Sequence, residues 1–116
     1  MREYTAGMWV YGPIVDRYAT DGYREPIGTL ELIELAASSG VVGLDLNYPF
    51  PEAELALSEV REALQRCGLS AVCVTPAIYT RRFARGAFTN PDPSVRAAAH
   101  DLVASSVEVA RGLGAG

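Results

Sequence analysis

Lysine is absent: all ten basic residues among the 116 are arginine. Schiff-base chemistry on a lysine is therefore excluded for these residues. Histidine is nearly as scarce. His100 is the only one, and its neighbours Arg96 and Asp101 place it on a helix, where a surface or boundary position is expected. Cys67 and Cys73 have no third cysteine or nearby histidine with which to form a metal set, so both are expected to be reduced, buried thiols. No run of basic residues exists and the net charge of −4 is spread along the chain, which leaves nucleic acid no electrostatic footprint. Nor is there an unbroken apolar run of signal-peptide or membrane-span length, so a cytoplasmic protein with no membrane partner is expected. A nucleophile paired with a base and a phosphate-cradling glycine loop are both missing.

What is present is a repeating order. At 49% hydrophobic residues the chain can build a core, and three strand-like runs are each followed by a loop and a helical pattern, the order of a parallel α/β sheet. The strands are expected at Ala6 to Tyr11, Val41 to Asn47 and Ala71 to Thr75. In the second, Val42, Leu44 and Leu46 alternate with Gly43, Asp45 and Asn47, so one face packs on helices and the other points into a barrel or cleft. Asn47, at the strand end, would reach a ligand. Asp45 lies one layer deeper and is read as structural, held by a polar group of a neighbouring strand.

The first helix is expected to be capped by Thr29, to bury Leu32, Leu35 and Ala36, and to end at Gly40. The second is expected from about Pro51 to Cys67, with Glu52 and Glu54 in its first turn and Gly68 closing it. The third starts after Asn90-Pro91-Asp92 and runs to about Leu113, with a stripe that includes Val95, Ala99, Leu102 and Val109.

Function in such folds collects at the carboxyl ends of the strands. Nine of the ten aromatic residues are placed there: Trp9, Tyr11, Tyr18 and Tyr23 with strand one, Tyr48 and Phe50 with strand two, and Tyr79, Phe83 and Phe88 with strand three. Rings at one mouth suit a sugar, which has apolar C–H faces and polar edges, although individual rings could equally plug long loops.

The stretch Phe83-Ala84-Arg85-Gly86-Ala87-Phe88-Thr89-Asn90-Pro91-Asp92-Pro93-Ser94-Val95-Arg96 resembles the segment after strand three of xylose-isomerase-like sugar isomerases. Gly7-Met8-Trp9 resembles that family's first strand, and Gly40 to Pro49 its second. The resemblance implies a partial TIM (β/α)8 barrel, with residues 1–116 as the N-terminal three βα units. A whole barrel of this kind needs about 250 residues. A three-stranded flavodoxin-like miniature is the weaker fold reading.

The resemblance further implies aldose–ketose interconversion in the parent protein, with a divalent metal (Mg, Mn or Co) that polarises the substrate oxygens; none is expected to be held by this chain alone. Trp9 and Phe83 match the aromatic walls that shield the reacting carbons, Thr80 lies near a position that touches the sugar, and Asn47 and Tyr48 complete the expected substrate site. Where xylose isomerases carry a histidine after strand two, this chain has Asn47-Tyr48-Pro49, and asparagine cannot shuttle a proton near neutral pH. A related epimerase or inosose dehydratase is therefore kept open, as is a non-catalytic carbohydrate-binding or self-assembling barrel fragment. A homo-oligomer is expected of the full-length form, and the 116-residue fragment by itself would have to cover its open sheet edges by assembling.

Overall fold

A computed structural model describes residues 1–116. Three parallel strands, β1 (Thr5–Gly7), β2 (Gly43–Tyr48) and β3 (Ser70–Pro76), form one sheet in the order β1-β2-β3. Helices α1 (Thr29–Ser38), α2 (Leu57–Cys67) and α3 (Pro93–Leu113) alternate with them. The α/β reading with parallel βα units is thus observed.

Alternation in β2 sets the two faces of the sheet. Leu44 and Leu46 are fully buried and join Ile33, Ala36, Val60 and Leu64 in the core, because period-two geometry sends both to the helix side. Gly7, Asp45 and Cys73 are register partners on the other face, as are Asn47 and Thr75 one step further on. A bulge between Leu44 and Asp45 leaves Val72 without a partner, and it lies exposed on that second face with Thr5 and Cys73. Cys73 is therefore exposed, not buried as expected, since no helix covers this side of the sheet; Cys67 is half-buried. Partial burial of the thiol, and then the Asp45 carboxylate beside it, push Cys73 above its usual 9.0, so it is a protonated, weak nucleophile at neutral pH.

Several boundaries differ from the sequence expectation. β1 stops at Gly7, and Met8–Val10 turn into a short 3-10 segment that buries Met8 under the sheet end. Gly28, not Thr29, is the N-cap of α1, and Leu35 stays exposed because it falls on the outer edge of the Leu32–Ala36 stripe. α2 starts at Leu57, six residues later than expected. The two prolines Pro49 and Pro51 keep the chain in turns, and Glu52 serves a different helix.

That service is a cross-link. The Glu52 carboxylate accepts the Thr29 N–H at 2.6 Å and the Thr29 hydroxyl at 2.7 Å, so a side chain of the β2–α2 loop caps the first turn of α1. Glu59 accepts the Ala56 N–H at 2.9 Å, half of a capping box, since alanine offers no oxygen in return. α2 and α3 both end on left-handed glycines, Gly68 and Gly114, as their positions suggested.

Partial burial tends to raise the Glu52 carboxyl, but the two bonds from Thr29 outweigh it and hold it below its usual 4.5. A depressed folded-state value gives stability that is present above the unfolded value and lost as pH falls through the folded one. Glu52→Ala is expected to cost about 1 kcal/mol at neutral pH. The difference in denaturant midpoint between wild type and Glu52→Gln should shrink as pH drops below 4.5; a difference that persists into acid would contradict the clasp.

α3 packs beside β3, an edge strand, and only Ala99 and Ser106 on it are fully buried. The expected stripe of Val95, Leu102 and Val109 is half-covered, because the helix has neighbours on one flank only. The approach to α3 is tightly specified. Buried Asn90 donates to the Gly86 carbonyl at 2.7 Å and accepts the Asp92 N–H at 3.0 Å, while Asp92 caps the helix through the Ser94 N–H at 2.8 Å. Gly86 has φ +106°, and a Cβ there would lie 2.7 Å from the Thr89 hydroxyl. The Gly86–Asn90 segment is thus built for its turn.

Candidate functional site

The carboxyl ends of the strands open on a cavity of about 570 Å³, within the roughly 300–1,000 Å³ usual for small-molecule sites. Its floor is set by β2 and β3. Asn47 is the next-to-last residue of β2 and Thr75 lies opposite it in register, followed by Ala77, Tyr79 and Thr80 from the end of β3. Met8, Trp9, Ile14, Ile27 and Leu32 supply apolar wall from the β1 side.

The polar groups in this cavity are arranged in pairs. Asn47 Nδ2 donates to the Tyr79 hydroxyl at 2.8 Å, which fixes the amide and leaves its carbonyl oxygen free to accept and the phenol proton free to be donated. Burial pushes the Tyr79 phenol above its usual 10.0 against the opposing effect of that bond, so it is a neutral donor at physiological pH. The backbone N–H of Asn47 rests on Met8 Sδ at 3.2 Å, which ties β2 to the turn after β1. One layer deeper, the Thr75 hydroxyl donates to both Asp45 oxygens at 2.8 and 3.0 Å. The neighbouring-strand partner that Asp45 needs is therefore present within the chain.

Of the expected site residues, Trp9, Asn47 and Thr80 line the cavity together. Trp9 is 39% exposed, and its ring lies so close over Gly7 that a Cβ there would collide with it. Tyr48 and Phe83 are not among the lining residues. Tyr48 packs edge-on against Phe50, with ring centroids 5.6 Å apart at 90°, because alternation turns it away from Asn47. Phe83 is 4% exposed, buried in the 3-10 turn Arg81–Phe83. Among the nine rings placed at the mouth, Trp9 and Tyr79 alone line this cavity. Phe88 instead stacks at a tilt on exposed His100, at 5.0 Å, on α3.

Two contributors were not marked as site residues by sequence. Tyr79 is read there only as one ring among many, and its pairing with Asn47 spans 32 residues. Asp16 also lines the cavity; its carboxylate accepts the Ala19 and Tyr18 N–H groups and the Tyr23 hydroxyl, and those bonds, the Ala19 one foremost, hold it below its usual 3.8. An aspartate two residues ahead of its backbone partner is the signature of such a turn.

No three His, Cys, Asp or Glu side chains converge. Asp45 has Thr75 and Cys73 as neighbours and Asp16 is committed to its own loop, so the residues present do not fit a divalent ion by themselves.

No protein-family model matches the chain. The sequence is 28% identical over 121 aligned positions to the xylose isomerase of Thermus thermophilus, covering 97% of this chain. It spans 31% of that protein's length. The similarity supports a sugar-isomerase-like origin. No helix is long and apolar enough to cross a membrane.

Proposed function

We propose that the chain contributes one wall of the sugar site of a metal-dependent aldose–ketose isomerase of the xylose isomerase kind. The observation that carries this reading is the cavity at the strand ends, whose lining Trp9 shares with the Asn47–Tyr79 pair. An aromatic face takes the C–H side of a sugar, while an amide oxygen and a phenol proton take its hydroxyls. Apolar walls around them, among them Met8, Ile27 and Leu32, lower the local dielectric, which strengthens both hydrogen bonds. Similarity to a protein named xylose isomerase supports the same direction. With asparagine at position 47, this wall binds and orients; it moves no proton near neutral pH. The metal ligands and proton-transfer groups of such an isomerase would come from other residues.

Calorimetric titration of the protein with D-xylose and D-xylulose tests the reading. Saturable binding of the pentoses, weakened in Trp9→Ala, is expected. Heat indistinguishable from dilution for both sugars would overturn it.

A second reading, a self-assembling barrel fragment, is favoured by a different observation. Both β1 and β3 are edge strands, and the face bearing Thr5, Val72 and Cys73 is uncovered. The accessible surface is 7155 Å², against about 6,100 Å² expected for 12.4 kDa. That excess of roughly 1,000 Å² is close to one partner's share of a standard interface. Sedimentation analysis should then show a dimer or larger species; a monodisperse monomer at high concentration would exclude it.

A further inference from the structure

Ile14 is the one residue other than glycine with a positive φ, +48°. A β-branched side chain is strongly disfavoured in that left-handed region, where its Cβ crowds the following carbonyl, and glycine or asparagine is the ordinary occupant. Core packing does not explain the choice, because Ile14 is 40% exposed and lies outside the core cluster. What Ile14 does is line the cavity, in an unbroken run with Pro13, Val15 and Asp16.

An unfavourable backbone conformation persists only where its surroundings over-determine it, and here both flanks are fixed. On the C-terminal side, Asp16 accepts the Tyr18 N–H at 2.7 Å, the Ala19 N–H at 2.9 Å and the Tyr23 hydroxyl at 3.0 Å, and its own N–H donates to the Ala19 carbonyl at 3.3 Å. On the N-terminal side, the Pro13 carbonyl accepts the Tyr23 N–H at 2.6 Å. Pro13 also packs on Gly22, where φ is +90° and a Cβ would lie 2.7 Å from the proline Cβ. With the φ of Pro13 locked by its ring, the residue between these two clamps has no room to relax into an extended or right-handed conformation.

We propose that Ile14 is a substrate-contact residue of the sugar site, held by the two clamps so that its aliphatic side chain meets the C–H face of the ligand, with Asp16 as the residue that positions it. This rests on the sugar-site reading and adds a contact and a positioning residue to it. An aliphatic group offers a sugar C–H contact and no hydrogen-bond partner, so a hydroxyl directed at this wall would be left unpaired and disfavoured. The strain at Ile14 is thus spent on placing an apolar contact that a relaxed glycine or asparagine could not make.

The test combines thermal unfolding with calorimetric titration of D-xylose on the wild type, Ile14→Asn, Ile14→Gly, Asp16→Ala and the double variant Ile14→Gly/Asp16→Ala. Asparagine tolerates the left-handed region without the extra freedom glycine gives the unfolded chain, so Ile14→Asn is expected to melt a few degrees above the wild type. Both Ile14 variants are expected to bind D-xylose about five- to tenfold more weakly. A residue kept for stability would move the two readouts together. Asp16→Ala should weaken binding in the wild-type background and have no further effect once residue 14 is glycine, because Asp16 acts through Ile14. Unchanged affinity in either Ile14 variant, or a lower melting temperature in Ile14→Asn, would overturn the contact while leaving the sugar site standing. An Asp16→Ala loss that persists beside Ile14→Gly would overturn the positioning role. A wild type that binds no D-xylose overturns the sugar site and this contact together.

Discussion

Leu46→Ala should lower the unfolding free energy by about 2–5 kcal/mol, a large share of the roughly 5–15 kcal/mol that domains possess. Leu46 is fully buried in the central strand, so truncation removes apolar transfer energy and leaves a cavity among Ile33, Val60 and Leu64 that the packed neighbours cannot fill. With only 18 of 116 residues buried, the core has little redundancy to absorb the loss. Leu35→Ala is the matched control: Leu35 is 43% exposed, and alanine is a somewhat better helix former, so its change should stay near zero. Urea unfolding monitored by circular dichroism reads both. Similar midpoints for the two variants would mean that β2 does not bury its leucine face as described.

Asn47→Leu is expected to weaken sugar binding at least tenfold while leaving the fold intact. Leucine keeps the branching at Cγ but removes the amide, so the substrate loses its acceptor and the half-buried Tyr79 hydroxyl loses its anchor at 2.8 Å. A site built to hydrogen-bond a hydroxyl discriminates strongly when one partner vanishes, since the remaining polar group is left dry and unpaired. The same titration with D-xylose measures it. An unchanged affinity would remove Asn47 from the site, and an affinity lost together with the circular dichroism signal would assign it to folding.

Much of the architecture was legible because it is written in short periods. Alternation around Leu44 and Leu46 located the central strand and its buried face, and spacing of three and four located α2 and α3. Gly68 and Gly114 marked helix ends because a left-handed residue there costs glycine nothing. What misled was local chemistry competing with distant partners. Glu52 looked like a first-turn acid of α2, which is where a helix dipole would want it; in the fold it reaches back 23 residues to Thr29. Cys73 looked buried because its neighbours are apolar, but the bulge at Val72 and the uncovered sheet face expose it.

For the site, strand-end position nominated Trp9 and Asn47, since parallel βα units present that end to the loops, whereas Thr80 came from the family resemblance alone. Aromatic content could not say which rings face the cavity. Alternation turns Tyr48 toward Phe50, and a 3-10 turn buries Phe83.

The sequence by itself determined the order of elements, the buried face of β2 and the strand ends at which a ligand would be held, all of which follow from periodicity and caps within a few residues. The tertiary structure alone decided the pairs that give those ends chemistry: Asn47 with Tyr79, Thr75 with Asp45, and Thr29 with Glu52. Each joins groups 23 to 32 residues apart, and a hydrogen bond at that separation leaves no periodic trace in the chain.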